Sequence, residues 1–480
     1  LHLLSRRQRQ MCIRDRDNSM KTYLKGVLYM SINNLSSFTK ERLGLCIEND
    51  TIDNNLYEEY GVKRGLRDLN GIGINAGITN ISLSRAYTME DGKHTPADGE
   101  LYYRGYEIRQ LIDGFTKEGR FGFEECTYLL LFGKLPDENE LAKFKQVLNL
   151  AYDLPHNFIQ DVIMKNPTKD IISNMTKSIL ALGSYDKSET DISLDNVLQQ
   201  CLMIISVFPR LAVYSFQGYR HYELGKSCYI HKPDPELSFA ENILSMLRSD
   251  RKYTQLEAKV LDLALVLHME HGGGSNSTFT TRVVTSSGSD TYATVAAALC
   301  SLKGPLNGGG DLKVMEMMKN IHCNVEDVTD EEQIREYIRK IVRGEAFDKS
   351  GVVYGMGQPV YSLSDPRAVI IKEYVEKLAE EKHEKDEFKL YELIERIAPE
   401  VIAEERKIYK GVCINIDYYC GLLYKMLKIP YALYTPLFAI GRVVGWSAHR
   451  MEELINSYKI MRPAYPSLVE PKDYVPIKDR

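Results

Sequence analysis

The chain has 480 residues, of which 44% are hydrophobic and 26% charged, a composition typical of globular proteins with a sizeable core. Its formal net charge is −5 and it has no basic tract beyond the N-terminus, so nucleic acid is a poor candidate partner. Nine cysteines without CxxC spacing favour reduced thiols in a cytoplasmic protein. No apolar run approaches the ~18 residues of a membrane span, so no membrane association is expected.

The N-terminus differs in character from the rest of the chain. Residues 1–16 contain five arginines and lack the apolar region of a secretory signal. An Arg-rich leader is also typical of mitochondrial transit peptides, but this one is short. We therefore expect residues 1–19 to be a non-native or disordered extension, with Met20 or Met30 as the true start.

Helical spacing of apolar residues then recurs along the chain. Residues 71–99 are rich in Gly, Ser, Thr and Asn, which predicts loops and short strands. Ser238 and Thr254 are predicted N-caps, and Thr254 begins a long apolar helix that ends near a histidine pair. The helical spacing predicts further segments at 106–115, 122–132, 144–150, 171–182, 197–212, 330–343 and 369–381. The sequence thus predicts a mostly α fold.

A ligand pocket is indicated between residues 268 and 311. His268 and His271 precede a triple glycine, and a second triple glycine follows a helical run at 292–302. Glycine runs allow the backbone to come close to a ligand, and helix ends near polar residues can hold a small anion. The alternative is a metal site, since histidines at i, i+3 can share a helix face. Zinc would need further ligands, and no cysteine or HExxH partner is evident, so no metal is predicted.

Three later segments join this one in a recognisable order: GVVYGMGQPVYSLSDPRA at 351–368, NIDYYCG at 415–421 and YTPLFAIGRVVGWSAHRMEE at 434–453, with RPAYP at 462–466 just beyond. Together they resemble the citrate synthase family, in its bacterial citrate and 2-methylcitrate synthase forms. The resemblance implies an acyltransferase that condenses acetyl-CoA with oxaloacetate at the entry to the tricarboxylic acid cycle. It also implies a large helical domain (20–310 and 417–480), a smaller inserted helical domain (311–416) and a cleft between them.

The resemblance also assigns roles to residues. Asp417 is the expected catalytic base. Oxaloacetate is expected to bind the residues at family ligand positions, namely His271, Ser277, Arg367, Arg442 and Arg462. Arginine suits this role because its planar guanidinium meets carboxylates bidentately.

Further expectations concern the second substrate and the assembly. Arg462 is expected to reach the site of a neighbouring subunit, which makes the active form a homodimer. The backbone around Val353, Gly355 and Gly357 is expected to hold acyl-CoA, which acts as a co-substrate. The resemblance implies no permanently bound cofactor.

Three positions depart from the family pattern. Asn307 and Gln358 stand where the family has catalytic histidines, and Ser275 stands where an asparagine is usual. The amides keep neutral hydrogen-bond donors but cannot exchange protons. A weakened citrate synthase is therefore the leading hypothesis. The alternative is a non-catalytic paralogue that binds oxaloacetate or CoA as a sensor or as a dimer partner.

Overall fold

The computed structural model describes residues 39–40, 42–45, 47–67, 73–90, 93–150, 153–407, 411–456 and 459–480. They form two units, one up to Asn75 and one from Ala76 onward, and each is described by itself. The first contains helix α1 (Asn54–Glu59), capped by the side chain of Asp53. The extension predicted over 1–19 lies outside the described residues.

The second unit is mostly helical, as predicted. Its earlier helices are α2 (Ile108–Lys117), α3 (Phe123–Phe132), α4 (Glu138–Leu150), α5 (Ile171–Gly183), α6 (Leu194–Tyr222), α7 (Phe239–Leu247), α8 (Gln255–His268), α9 (Asn276–Ser286) and α10 (Thr291–Lys303). Its later helices are α11 (Pro305–Gly308), α12 (Gly310–Asn324), α13 (Glu331–Val342), α14 (Pro366–Lys382), α15 (Lys385–Arg406), α16 (Ile416–Met426) and α17 (Tyr434–Asn456). Both predicted N-caps are confirmed, and Ser238 and Thr254 each form a capping box.

The sheet of this unit is a three-stranded antiparallel meander. Strands β1 (Ser82–Glu90) and β2 (Lys93–Tyr103) form a hairpin that is longer than the short strands expected over 71–99. Strand β3 (Tyr106–Glu107) pairs with the end of β2 and leads into α2. The predicted helix at 106–115 therefore starts two residues late, because its first two residues complete the sheet.

Helix α6 is longer than the predicted segment at 197–212. It continues through Pro209, which lacks a backbone N–H, because tertiary burial along the whole middle of the helix holds it together. By length and composition α6 could cross a membrane, which corrects the sequence prediction that no such run exists. It is the one such helix among the described residues, and 78% of its most apolar stretch is buried inside the protein. That burial is typical of a core helix.

Helix α8 lies at the centre of the packing around the histidine pair. It contacts α7, α14 and α17, and its residues from Val260 to His268 are all buried. Helix α14 also packs on α16, which carries Asp417. The division into domains at 310/311 and 416/417 stays a prediction.

Candidate active site

The turn after α8 carries the two histidines in different settings. His268 is the last residue of α8 and is 2% exposed, whereas His271 lies beyond the helix. The two side chains therefore do not share a helix face, contrary to what the metal-site alternative requires. Among the residues that the structure describes, no group of three or more His, Cys, Asp or Glu side chains could hold a metal ion.

Glu270, between the histidines, fixes this turn to the rest of the fold. Its Oε1 accepts hydrogen bonds from the hydroxyl of Ser82 at 2.9 Å and from Nε2 of His449 at 3.0 Å. The hydroxyl of Tyr103 donates to the carbonyl of Glu270 at 3.2 Å. Burial acts to raise the pKa of Glu270, but His449, Arg442 and the hydrogen bonds outweigh it and hold the pKa at about 2. The turn is thus braced by a buried carboxylate.

His449 transmits this support to a second group of charges. Its Nδ1 accepts from Nη2 of Arg282 at 2.7 Å, so its Nε2 carries the proton that is donated to Glu270. Arg282 also pairs with Glu453 at 2.8 Å and with Glu452. The side chains of this network are at most 11% exposed where they pair. The network ties α9 and α17 to the histidine turn.

Two glycines let α17 approach this turn closely. A Cβ at Gly441 would lie 2.7 Å from the carbonyl oxygen of Leu265, and one at Gly445 would lie 2.3 Å from that of Met269. Arg442, between them, donates from Nε to the carbonyl of His268 at 2.7 Å and from Nη1 to the hydroxyl of Ser275 at 3.1 Å. Burial lowers the pKa of Arg442 to about 10, so its guanidinium stays charged at neutral pH. Arg442 therefore presents a buried positive charge beside the histidines.

Both histidines are neutral in this environment. Burial, followed by the charges of Arg442 and Arg367, lowers the pKa of His268 well below its usual value, and burial with the same two arginines does so for His271. The ring of His271 lies 5.3 Å from that of Tyr361 in an edge contact. Neutral imidazoles beside two guanidinium groups suit an anionic ligand that also carries a carbonyl.

Arg367 forms a buried ion pair with the N-cap residue of its own helix. Its Nε donates to Oδ1 of Asp365 at 3.0 Å, and its Nη2 donates to Oδ2 at 2.8 Å. Nε2 of Gln358 donates to the same Oδ2. Burial acts to lower the pKa of Arg367, and Asp365 more than reverses this. Gln358 is therefore engaged by a carboxylate that also holds the predicted substrate arginine.

Asp417 lies in the first turn of α16, where the side chain of Asn415 accepts from its backbone N–H at 3.1 Å. Its Oδ2 lies against Gly310, at which a Cβ would be only 2.1 Å away. Burial raises the pKa of Asp417 to about 6, although Arg367 and Arg442 act to lower it. A carboxylate with such a pKa can accept and release a proton near neutral pH.

A second buried carboxyl, Asp311, lies close enough to Asp417 for the charge of Asp417 to act on it. It is 6% exposed, and burial together with the charge of Asp417 raises its pKa well above the usual value. The negative charge of Asp417 therefore disfavours a second negative charge on Asp311.

Asn307 lies in the short helix α11, and its side-chain amide points toward Ser301, six residues earlier in the chain. Its Nδ2 donates to the carbonyl and hydroxyl oxygens of Ser301, at 3.1 and 3.3 Å. The next residue, Gly308, accepts at its carbonyl from the hydroxyl of Thr435 at 2.7 Å. The second triple glycine lies where α11 ends and α12 begins. The amide of Asn307 is thus engaged by its own segment.

The predicted acyl-CoA loop is attached to the segment before Asp417. Gly355 accepts from the N–H of Asn415 at 2.8 Å, and Gly357 donates to the carbonyl of Cys413 at 2.7 Å. A Cβ at Gly355 would lie 2.6 Å from the ring of Tyr418. Packing on Tyr418 therefore explains the glycine at 355. Val353, at the start of the loop, is 3% exposed.

A cavity of about 680 Å³ lies beside α12. Its lining includes Lys303, Leu312, Lys319 and Thr435, and none of the predicted catalytic or oxaloacetate-binding residues.

A family model described as "Citrate synthase, C-terminal domain" matches residues 72–464. The chain belongs to the citrate synthase family. It is 31% identical over 385 residues to citrate synthase from Synechocystis, covering 80% of this chain and 89% of that protein. It is 32% identical over 383 residues to 2-methylcitrate synthase from Shewanella oneidensis, covering 79% of this chain and 92% of that protein.

Solved citrate synthases share the fold. The structure from Pyrobaculum aerophilum aligns with a TM-score of 0.70 at 25% identity, covering 86% of this chain and 95% of the other. A second structure is the ternary complex of the Thermoplasma acidophilum citrate synthase with carboxymethyl coenzyme A and oxaloacetate. It aligns with a TM-score of 0.70 at 28% identity, covering 87% of this chain and 99% of the other. The predicted mostly α citrate synthase fold is confirmed.

Within this citrate synthase fold, the structure brings some predicted site residues together and leaves others apart. The charges of Arg367 and Arg442 act on His271 and on Asp417 alike. Ser277 is fully buried and its hydroxyl accepts from the indole N–H of Trp446 at 3.2 Å. Arg462 is exposed in the segment after α17. Its predicted contact with a second subunit remains a prediction.

Several residues that shape this site were missed at the level of sequence, namely Glu270, Asp311, Asp365, Cys420 and His449. Asp365 had a detectable signal, because Asp before Pro-Arg is a typical N-cap followed by proline at the first helical position. The others act through contacts between distant segments and carry no local signature.

Proposed function

We propose that this chain condenses acetyl-CoA with oxaloacetate to form citrate and CoA. The observation that carries the proposal is Asp417, a buried carboxyl with a pKa of about 6 that is influenced by two buried arginines, Arg367 and Arg442. The complex of the Thermoplasma acidophilum relative with carboxymethyl coenzyme A and oxaloacetate supports these two substrates.

In the proposed reaction Asp417 removes a proton from the methyl group of acetyl-CoA. The resulting enolate carbon attacks the keto carbon of oxaloacetate, a C–C bond forms as the keto C=O opens to an alkoxide, and the alkoxide takes a proton from water while Asp417 returns its proton to solvent. Water then hydrolyses the thioester and releases CoA and citrate. Arg367 and Arg442, with Arg462 of a second subunit, would hold the carboxylates of oxaloacetate, and His271 would donate to its polar oxygens.

Asn307 and Gln358 are the proposed neutral donors for the oxygens that gain charge. In the structure the Asn307 amide donates to two oxygens of Ser301 and must change partner to meet a substrate oxygen, whereas the Gln358 amide donates to Asp365 and has a second N–H for a substrate oxygen. Neither amide can transfer a proton. We therefore propose weakened turnover, since the loss of a general acid–base contribution lowers rates by ~10²–10⁴.

The remaining parts of the proposal concern the second substrate and the assembly. The backbone from Val353 to Gly357 would hold the CoA moiety, with no permanently bound cofactor. Ser277, beneath the turn, would support the oxaloacetate site. Propionyl-CoA is the alternative acyl donor, because the 2-methylcitrate synthase from Shewanella oneidensis is as similar as the citrate synthases. We propose a cytoplasmic homodimer with no nucleic acid or membrane partner.

The test is citrate formation by the full chain from acetyl-CoA and oxaloacetate, read by mass spectrometry, with oxaloacetate affinity measured by calorimetry. Citrate formation, even at a rate ~10²–10⁴ below a typical ~10 s⁻¹, would support the proposal. Asp417→Asn is the matched control, and it should bind oxaloacetate but form no citrate. No product from the unmodified chain, with oxaloacetate still bound, would favour the alternative of a sensor or dimer partner.

A further inference from the structure

Cys420 lies one helical turn after Asp417 on α16 and contacts His268. Its Sγ is 3.6 Å from Nε2 of His268, and the two residues are 1% and 2% exposed. This distance is within hydrogen-bond range for sulfur. A thiol and an imidazole thus meet in the buried wall of the site, where neither has a role in the proposed reaction.

The chemistry of the two groups gives the contact a direction. Burial, with the charges of Asp417 and Asp311, raises the pKa of Cys420 well above its usual value, so its sulfur keeps the proton. His268 is neutral, and one of its nitrogens is an acceptor. Sulfur is weak both as donor and as acceptor, but the unprotonated imidazole nitrogen is a good acceptor, so S–H donating to Nε2 is the more favourable pairing. The ring proton of His268 then resides on Nδ1.

Nδ1 of His268 is buried and lacks a hydrogen-bond partner among the described residues. Nε2 of His271 is likewise buried and has no hydrogen-bond partner among the described residues. The ring of His268 lies 4.6 Å from that of Phe438. The guanidinium of Arg442 also lies over the Phe438 ring, 4.6 Å from its centre. Buried polar groups in native proteins have partners as a rule, and an orphaned N–H beside a guanidinium indicates a place for a ligand oxygen.

The donors at the substituted positions are, by contrast, already engaged. The Asn307 amide bonds to Ser301 and the Gln358 amide bonds to Asp365. His268 Nδ1 and His271 Nε2, by contrast, have no hydrogen-bond partner among the described residues that a substrate would have to replace.

We propose that Cys420 is a positioning residue that fixes His268 in the Nδ1–H tautomer, so that His268 donates a hydrogen bond to an oxygen of the anionic dicarboxylate substrate. The identity of that substrate rests on the proposed function. The tautomer of His268 does not rest on the proposed function, because it is argued from the contact between the thiol and the ring.

The tautomer is measured first, by magic-angle-spinning NMR of the full chain with isotope-labelled histidine and no ligand added. The chain has ten histidines, and His268→Gln identifies the signals of His268 by their loss. We expect a neutral ring protonated at Nδ1, retained in Cys420→Ser, which keeps a donor, and lost or mixed in Cys420→Ala. A ring protonated at Nε2 in the unmodified chain would overturn the proposal.

The consequence for the substrate is measured by calorimetry with oxaloacetate. Cys420→Ala should weaken binding about tenfold, the effect of one lost hydrogen bond, and Cys420→Ser should stay within about threefold. Cys201→Ala, which removes a fully buried thiol from α6, is the matched control and should leave both the tautomer and the affinity unchanged. Thermal unfolding of each variant verifies that it is folded.

The outcomes separate this inference from the proposed function. An altered tautomer in Cys420→Ala with unchanged oxaloacetate affinity overturns the contact between His268 and the substrate. An unmodified chain that binds no oxaloacetate overturns the proposed substrate, while the NMR result still decides the role of Cys420.

Discussion

Gln358 and Arg367 donate hydrogen bonds to the same atom, Oδ2 of Asp365. One residue stands where the family resemblance implies a catalytic histidine, and the other where it implies a substrate arginine. Their shared acceptor is fully buried and caps the helix that carries Arg367. A change at either position therefore alters the hydrogen bonding of the other.

Asp365→Asn should destabilise the protein, because it leaves the charge of Arg367 buried without a counter-charge. Loss of one partner of a buried pair costs about 3–5 kcal/mol of unfolding free energy. The matched control is Glu373→Gln, which breaks an exposed pair with Arg109 and should change stability by less than about 1 kcal/mol. Thermal or denaturant unfolding measures both. Equal stability of the two variants would contradict the buried ion pair.

The double variant Asn307→His and Gln358→His should raise citrate formation at least about tenfold, since it restores groups that can exchange protons. It also frees Oδ2 of Asp365 to pair with Arg367 alone. Asn149→His, at an amide that donates to the carbonyl of Pro235, is a control for an added histidine elsewhere. A double variant that folds, binds oxaloacetate and gains no activity would show that these positions are wrongly assigned.

The pH dependence of kcat/KM should follow the titration of Asp417. The base must be unprotonated, so activity should fall as the pH drops through about 6, approaching tenfold per pH unit. Asp311→Asn removes the neighbouring carboxyl, and a fall in activity that persists in this variant assigns the titration to Asp417. Steady-state rates from pH 5 to 8 measure this. A profile that stays flat down to pH 5 would be incompatible with Asp417 as the base.

Gly310→Ala should damage the site more than the fold, because the new methyl would displace the carboxylate of Asp417. Misplacement of a catalytic group by about 1 Å can lower turnover ~10²-fold. Gly309→Ala is the matched control, since its methyl would meet Pro305 at an ordinary 3.4 Å. Citrate formation and thermal unfolding are compared for the two. Equal activity would mean that the contact between Gly310 and Asp417 does not position the base.

Local patterns predicted the parts of this molecule that depend on neighbours in sequence. The caps at Ser238 and Thr254 are examples, because each capping box involves residues three apart. Helix α9 was not predicted, since its serines and threonines have low helix propensity and packing against α10 and α17 overrides it. The support of the histidine turn was equally hidden, as Glu270 meets partners 188 and 179 residues away.

The attachment of Arg442 to the carbonyl of His268 spans 174 residues of sequence. A ribosome that adds ~5–20 residues per second needs about 10 to 35 s to cover that distance. During this interval α8 can already exist, but the helix that holds its C-terminal histidine has not been synthesised. The nascent chain therefore completes its histidine turn only after translation of α17.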